Sequence, residues 1–319
     1  MNTVILQFRK NRTRQILLAL VILMIVFSLP DYQPVLPEEI TVIYTGQSFY
    51  GHIKVIDRGD IRVLLVDDSV QGSIDKGFKG TCCVPDQQEA MAFWGNPKNV
   101  LIIGLGVGLM PRRLEKYGLN VHTVEIDPKI VEVARKYFNF QGNVDVQDGR
   151  YFLKNTNKKY DIILMDAFSG NITAPHLLSL EMFQITKKRI VEGGILAIHI
   201  RDRVNSELIK ALFTTLKQVF AQVYVFDGNK TKHGSILLVS SERDMDKQSI
   251  LENINNSAQN DFWKRAFIRV FEKELTEIKQ GKIILTDDSN PAEVLQIQAA
   301  AAERELFLDY LGKEIYLIK

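Results

Sequence analysis

Val100-Leu101-Ile102-Ile103 runs straight into Gly104-Leu105-Gly106-Val107-Gly108, and these nine residues decide the fold. Four consecutive apolar residues without polar alternation describe a strand covered on both faces, as in a parallel sheet flanked by helices. The glycines permit a tight turn and let backbone N–H groups approach a ligand at the start of the following helix, predicted over Pro111–Tyr117. Gly104, Gly106 and Gly108 are therefore candidate cofactor-binding residues. A dinucleotide fingerprint needs glycine at the sixth motif position, where this chain has Leu109, which disfavours NAD.

Downstream the pattern alternates. Val121–Val124 reads as a second strand, Pro128–Phe138 as a helix with proline at its start, and Asp161–Met165, Gly194–Ile198, Val223–Phe226 and Ser235–Val239 as further strands. The second strand ends in Glu125-Ile126-Asp127-Pro128. An acid there, 17 residues past Gly108, can accept hydrogen bonds from both hydroxyls of a ribose. Glu125 takes that role, with Ile126 beside it. Gln147-Asp148-Gly149-Arg150 follows a short strand at Val144, where Asp148, next to Gly149, can receive an adenine amino group.

Upstream, Thr41–Tyr44, Ile53–Ile56 and Ile61–Val66 are short β-rich runs, with Arg58-Gly59-Asp60 as a hairpin turn, and residues 31–39 form an extended linker. The N-terminus is basic (Arg9, Lys10, Arg12, Arg14) and is followed by the apolar stretch Ile16–Leu29 and Pro30. Fourteen helical residues span about 21 Å, short of a hydrocarbon core of about 30 Å. A retained membrane anchor, a cleaved signal peptide and a buried helix all fit; the anchor is favoured because no A-x-A-like site follows. The basic end points to a body outside the cytosol, in conflict with a cofactor made in the cytosol, so the side of the membrane stays open. Without the four N-terminal cations the net charge of +2 becomes 36 basic against 38 acidic residues, leaving no basic footprint for nucleic acid. Cys82 and Cys83 are adjacent, have no zinc-site spacing and read as small semi-buried side chains, so no metal is expected.

Val100–Gly108, Val124–Pro128, Asp148–Arg150 and Tyr160–Asp166, in this order, resemble the successive motifs of the spermidine synthase family, and Ser48–Gly51 with Val70–Gly72 is similar to that family's N-terminal β-domain. The match covers roughly residues 40–240. It implies an α/β fold: a Rossmann-like seven-stranded domain binding S-adenosylmethionine or its decarboxylated form, preceded by a small antiparallel β-domain and an N-terminal hydrophobic helix. The implied divisions are 1–30 (anchor), 31–95 (linker and β-domain), 96–242 (cofactor domain) and 243–319 (mostly helical). It further implies Asp166 as the catalytic base, a small-molecule amine acceptor and a homodimer by analogy.

Three departures weaken a diamine site. Val107 stands where the aminopropyltransferases carry an acid on the glycine loop. Asp166-Ala167-Phe168-Ser169 replaces their Asp-Ser-Ser-Asp loop, and no tyrosine lies between Gln71 and Val100. Asp166–Gly170 and Ile284–Asp288 instead resemble a divergent branch, some of whose members are joined to membrane segments. Gln71, Ser169 and His176 are then candidates for the acceptor pocket, although His176 also reads as a surface or helix-capping residue. Aminopropyl transfer, methyl transfer on the same scaffold and a non-catalytic cofactor-binding protein are the competing functions. Val107 leans towards the intact methionine cofactor, whose carboxylate an acid would repel.

Overall fold

The structure is a computed structural model and describes residues 39–76, 86–228, 235–272, 276–297 and 299–301. The expected anchor, Cys82 and Cys83 lie outside them. Among the described residues no helix is long and apolar enough to cross a membrane.

Four strands open the described chain: β1 (Ile40–Ser48), β2 (Gly51–Arg58), β3 (Ile61–Val66) and β4 (Ser69–Asp75), an antiparallel sheet in sequential order. Asp60 pairs no strand partner in the β2–β3 turn, and Gly59 there has φ of 53°. A short helix, α1 (Asp86–Ala90), leads to β5 (Asn99–Ile103), α2 (Leu109–Lys116), β6 (Asn120–Glu125), α3 (Pro128–Phe138), β7 (Val144–Val146), α4 (Gly149–Asn155) and β8 (Tyr160–Met165). A two-stranded hairpin follows, β9 (Phe168–Ser169) with β10 (Ile172–Thr173). Then come α5 (Leu180–Lys187), β11 (Ile190–Arg201), α6 (Glu207–Lys217), β12 (Gln222–Asp227), β13 (Ser235–Ser241), α7 (Lys247–Asn256) and α8 (Asp261–Glu272).

The large sheet has the order β12-β13-β11-β8-β5-β6-β7, with β13 antiparallel to both neighbours and the other pairings parallel. The chain leaves β5 outward to β6 and β7 and returns on its other side to β8. That reversal places a crevice above the C-terminal ends of β5 and β8, where open α/β sheets bind ligands.

The apolar run of β5 has a direct explanation. Leu101 and Ile103 sit in one core, with Ile163, Met165, Leu196 and Ile198, while Val100 and Ile102 sit in the opposite core with Ile162, Leu164, Ile195 and Ala197. Every residue of these strands faces protein, so alternation is lost. The small sheet shares a third core with the crevice: Ile53, Leu64 and Ile74 pack with Leu105, Val107, Val131 and Phe140. The segment 276–291, expected to be mostly helical, contains no regular element. It is held by side chains instead, as when Leu285 N–H donates to Thr215 Oγ1 at 3.0 Å.

Candidate active site

The glycine turn is fixed by close backbone packing. Gly104 has φ of 103°, its N–H donates to the Val124 carbonyl at 2.8 Å, and a Cβ there would lie 2.2 Å from the Asp166 carbonyl oxygen. No side chain fits between β5 and the end of β8. Gly106 also lines the cavity, with Gln71 O 3.0 Å from where its Cβ would stand. Gly108 corrects the sequence reading. It does not line the cavity but starts α2 at φ of 72°, and Phe140 fills the space of its missing side chain.

Glu125 closes β6 with 9% exposure. Its Oε2 accepts the Leu105 N–H at 2.8 Å and its Oε1 the Asp127 N–H at 2.9 Å. Burial pushes its carboxyl up, and the backbone donors oppose that. Each oxygen keeps a second lone pair, so the carboxylate can still take two hydroxyl donors. Ile126 lines the same wall. Asp127, which lines the cavity, caps α3 through Oδ1 to Lys129 N–H at 2.8 Å, while its buried Oδ2 has no partner among the described residues.

Asp148 caps α4, Oδ1 accepting the Tyr151 N–H at 2.7 Å. His176, on the turn Pro175–Leu177, places Nε2 2.8 Å from Asp148 Oδ2. This bond, against the opposing pull of burial, holds the Asp148 carboxyl below its usual range. The structure thus pairs His176 with Asp148 on the cavity that Asp166 also lines. Gly149 lines the cavity and packs on Ile103. Arg150 turns the other way: Nη1 donates to Asp287 Oδ1 at 2.7 Å, Nη2 bonds Oδ2, and Ser179 Oγ adds a donor at 2.6 Å. Chiefly through Arg150, the Asp287 carboxyl is lowered to about 2.

Asp166 follows β8, its N–H donating to the Ile103 carbonyl at 2.9 Å. His199 Nδ1 lies 2.8 Å from Asp166 Oδ1, and His199 Nε2 lies 2.8 Å from Ser235 Oγ. A carboxylate only accepts, so Nδ1 carries the proton. Burial raises the Asp166 carboxyl, but the His199 charge and hydrogen bond, followed by the Arg201 charge, win and lower it. The amide of Gln88 also approaches, too loosely to count as a hydrogen bond. The His199 ring meets Phe168 edge-on at 5.4 Å, and the Arg201 guanidinium stacks 4.2 Å from the centre of the same ring. The Asp166 side chain keeps 34% of its surface exposed, towards the cavity that it lines.

Gln71 and Ser169 line the cavity, but Gln71 Nε2 is committed to the Gly170 carbonyl at 2.8 Å and so pins the β9–β10 hairpin. Sequence reading missed His199, Arg201, Gln87 and Gln88. For His199 and Arg201 a signal existed: polar residues at alternate positions of the buried run Ile195–Arg201. Gln87 and Gln88 are fixed by their neighbour Glu89, buried on α1 and bonded to Arg113 and the Tyr117 hydroxyl.

These residues line one cavity of about 1630 Å³. That exceeds the usual 300–1,000 Å³ of a single small-ligand site and leaves room for two substrates. A paired-hydroxyl acceptor in Glu125, a second acid in Asp148, a side-chain-free turn at Gly104 and the orphaned Asp127 Oδ2 suit a nucleoside cofactor of the S-adenosyl type.

Known proteins share parts of this sequence and this fold. Residues 87–227 match the spermine/spermidine synthase domain. A probable polyamine aminopropyl transferase of Bifidobacterium longum is 28% identical over 286 residues, 82% of this chain and 64% of the relative. A polyamine aminopropyltransferase of Vibrio vulnificus is 31% identical over 209 residues, 58% of this chain and 67% of the relative. The spermidine synthase structure from Thermotoga maritima superposes with a TM-score of 0.60 at 22% identity, covering 73% of this chain and 84% of that one, a likeness of fold. The chain spans between about half and two thirds of the length of the curated relatives it matches. With the ordered motifs at the strand ends and the shared domain, the chain belongs to the spermine/spermidine synthase family.

Proposed function

We propose that this chain transfers an aminopropyl group from decarboxylated S-adenosylmethionine to an amine acceptor. The observation that carries the reading is Asp166 at the end of β8, held by His199 at 2.8 Å and lining the same cavity as Glu125 and Asp148. The cofactor supplies a carbon made electrophilic by an adjacent sulfonium. Glu125 would hold the ribose hydroxyls and Asp148 the adenine amine. An attacking amine must be neutral, and Asp166 is placed to take its proton on Oδ2, because Oδ1 is bonded to His199. His199, fixed by Ser235, keeps Asp166 oriented and ionised. Stacked Phe168 and Arg201 narrow the same region, which limits water around the reacting nitrogen.

One observation favours methyl transfer as a second reading. Val107 is buried against Gly72, so the glycine loop offers no carboxylate to a cofactor amine. The nucleoside product separates the two: methylthioadenosine marks aminopropyl transfer and S-adenosylhomocysteine marks methylation. Mass spectrometry of a reaction containing both cofactor forms is expected to find methylthioadenosine. S-adenosylhomocysteine alone would replace the first reading by the second. For location, the basic and apolar run through Leu29 supports attachment to a membrane by a single N-terminal helix.

A further inference from the structure

Besides its acids the cavity carries a group of cations. Its lining includes Arg201, Arg203, Arg265 and Arg269. Arg265 and Arg269 stand one turn apart on α8, both exposed to solvent on the cavity-lining face, and among the described residues neither pairs with a carboxylate. The helix is held in place from behind: Phe267 is fully buried, and the Arg113 guanidinium stacks 4.5 Å from the centre of the Trp263 ring. Asp202 and Glu207 line the same wall and are partly engaged: Asp202 Oδ1 accepts the Arg203 N–H at 2.6 Å and Oδ2 the Ser206 hydroxyl at 2.6 Å, and Glu207 pairs with Lys210 at 2.8 Å. The neighbouring polar groups are neutral amides: Gln87 and Gln88 are 6% and 2% exposed, and among the described residues Gln87 Oε1 and both polar atoms of the Gln88 amide have no partner.

A dication would enter the cavity against the guanidinium groups of Arg265 and Arg269, which among the described residues pair with no carboxylate, Arg265 Nε donating to the Asp261 carbonyl at 3.1 Å. A concave wall enriched in cations focuses the field and concentrates the opposite charge. Guanidinium groups also match a carboxylate in shape, forming paired N–H···O bonds. We propose that the acceptor is an amine that also carries a carboxylate, its amine directed to Asp166 and its anionic end to Arg265 and Arg269, rather than a diamine. The inference rests on the aminopropyl-transfer reading of the same site. The balance of that step is unchanged: the nitrogen lone pair forms the new C–N bond, the C–S pair returns to sulfur, and the N–H proton passes to Asp166.

The test uses the full chain and three probes of equal length, 4-aminobutyrate, n-butylamine and 1,4-diaminobutane, titrated by calorimetry with and without methylthioadenosine. The aminocarboxylate is expected to bind roughly tenfold or more tightly than the diamine, the strength of one charge-assisted contact. Arg265→Glu and Arg269→Glu, at exposed positions that leave the fold intact, are expected to cut that preference to about twofold or reverse it. Equal or tighter binding of the diamine overturns the proposal, as does binding of none of the probes, or a preference that neither substitution moves. Failure of methylthioadenosine to bind would strike the transfer reading instead, because the ranking without nucleoside is read independently.

Discussion

Asp166 and Glu125 are both carboxylates at strand ends, yet their surroundings push them in opposite directions. At Asp166, His199 and Arg201 overcome burial and keep the group ionised at neutral pH. Asp166→Asn is therefore expected to leave nucleoside binding within about twofold and to lower kcat by about 10²–10⁴-fold, the worth of a positioned base. Single-turnover kinetics beside calorimetry check the split, and weakened binding with normal turnover would contradict the role. Asp287 provides a pH test. Its folded value of about 2 lies below the ordinary 3.8, so its stabilising contribution is complete above the latter and is lost as pH falls through the former. Asp287→Asn is expected to lower Tm at pH 7, with the gap from the unsubstituted protein closing between pH 4 and pH 2. Thermal melts across that range measure it. Glu125 has the reverse sign. Its raised carboxyl means that ionisation weakens the free fold as pH rises, because burial disfavours the charged form.

Among the elements, β5 and its turn carry the largest constraint. Gly104→Ala forces a Cβ against the Asp166 carbonyl at a φ suited to glycine, and is expected to cost about 2–4 kcal/mol. Gly118→Ala, also at positive φ (81°) but with open space around it, is expected to cost about 1 kcal/mol. Denaturant unfolding compares the two, and equal costs would contradict the close approach of β5 and β8. The strands of the large sheet were legible because both faces are buried, which writes continuous apolar runs such as Val100–Ile103 and Asp161–Met165. The extent of β11 was not. Its final residues, His199 to Arg201, are held by pairing with β13 (Arg201 opposite Ser235), a long-range match that no local pattern announces. The β9–β10 hairpin was read as a loop for the same reason: its strands are two residues each and are stabilised by Gln71 from a different sheet.

At the scale of the whole molecule, the part of the cavity formed by strand ends was legible in the sequence and the part formed by distant elements was not. Acids at or just past a strand end, Glu125, Asp148 and Asp166, fall into the crevice simply because parallel strands end on one side. The second part is assembled from α1, the end of β11 and a face of α8, which are far apart in sequence, so neither Gln88 nor Arg269 stands out in the linear chain. His176 lies on the cavity as its place near Asp166 in the sequence suggested, while its bond to Asp148 is a contact that the linear chain does not announce. The central claim is that Glu125 seats the nucleoside above the glycine turn. Its most direct test is a calorimetric titration of the full chain and of Glu125→Ala with decarboxylated S-adenosylmethionine. One-to-one binding to the unsubstituted protein and its loss in the variant is the expected result; equal binding by both, or by neither, would contradict the account.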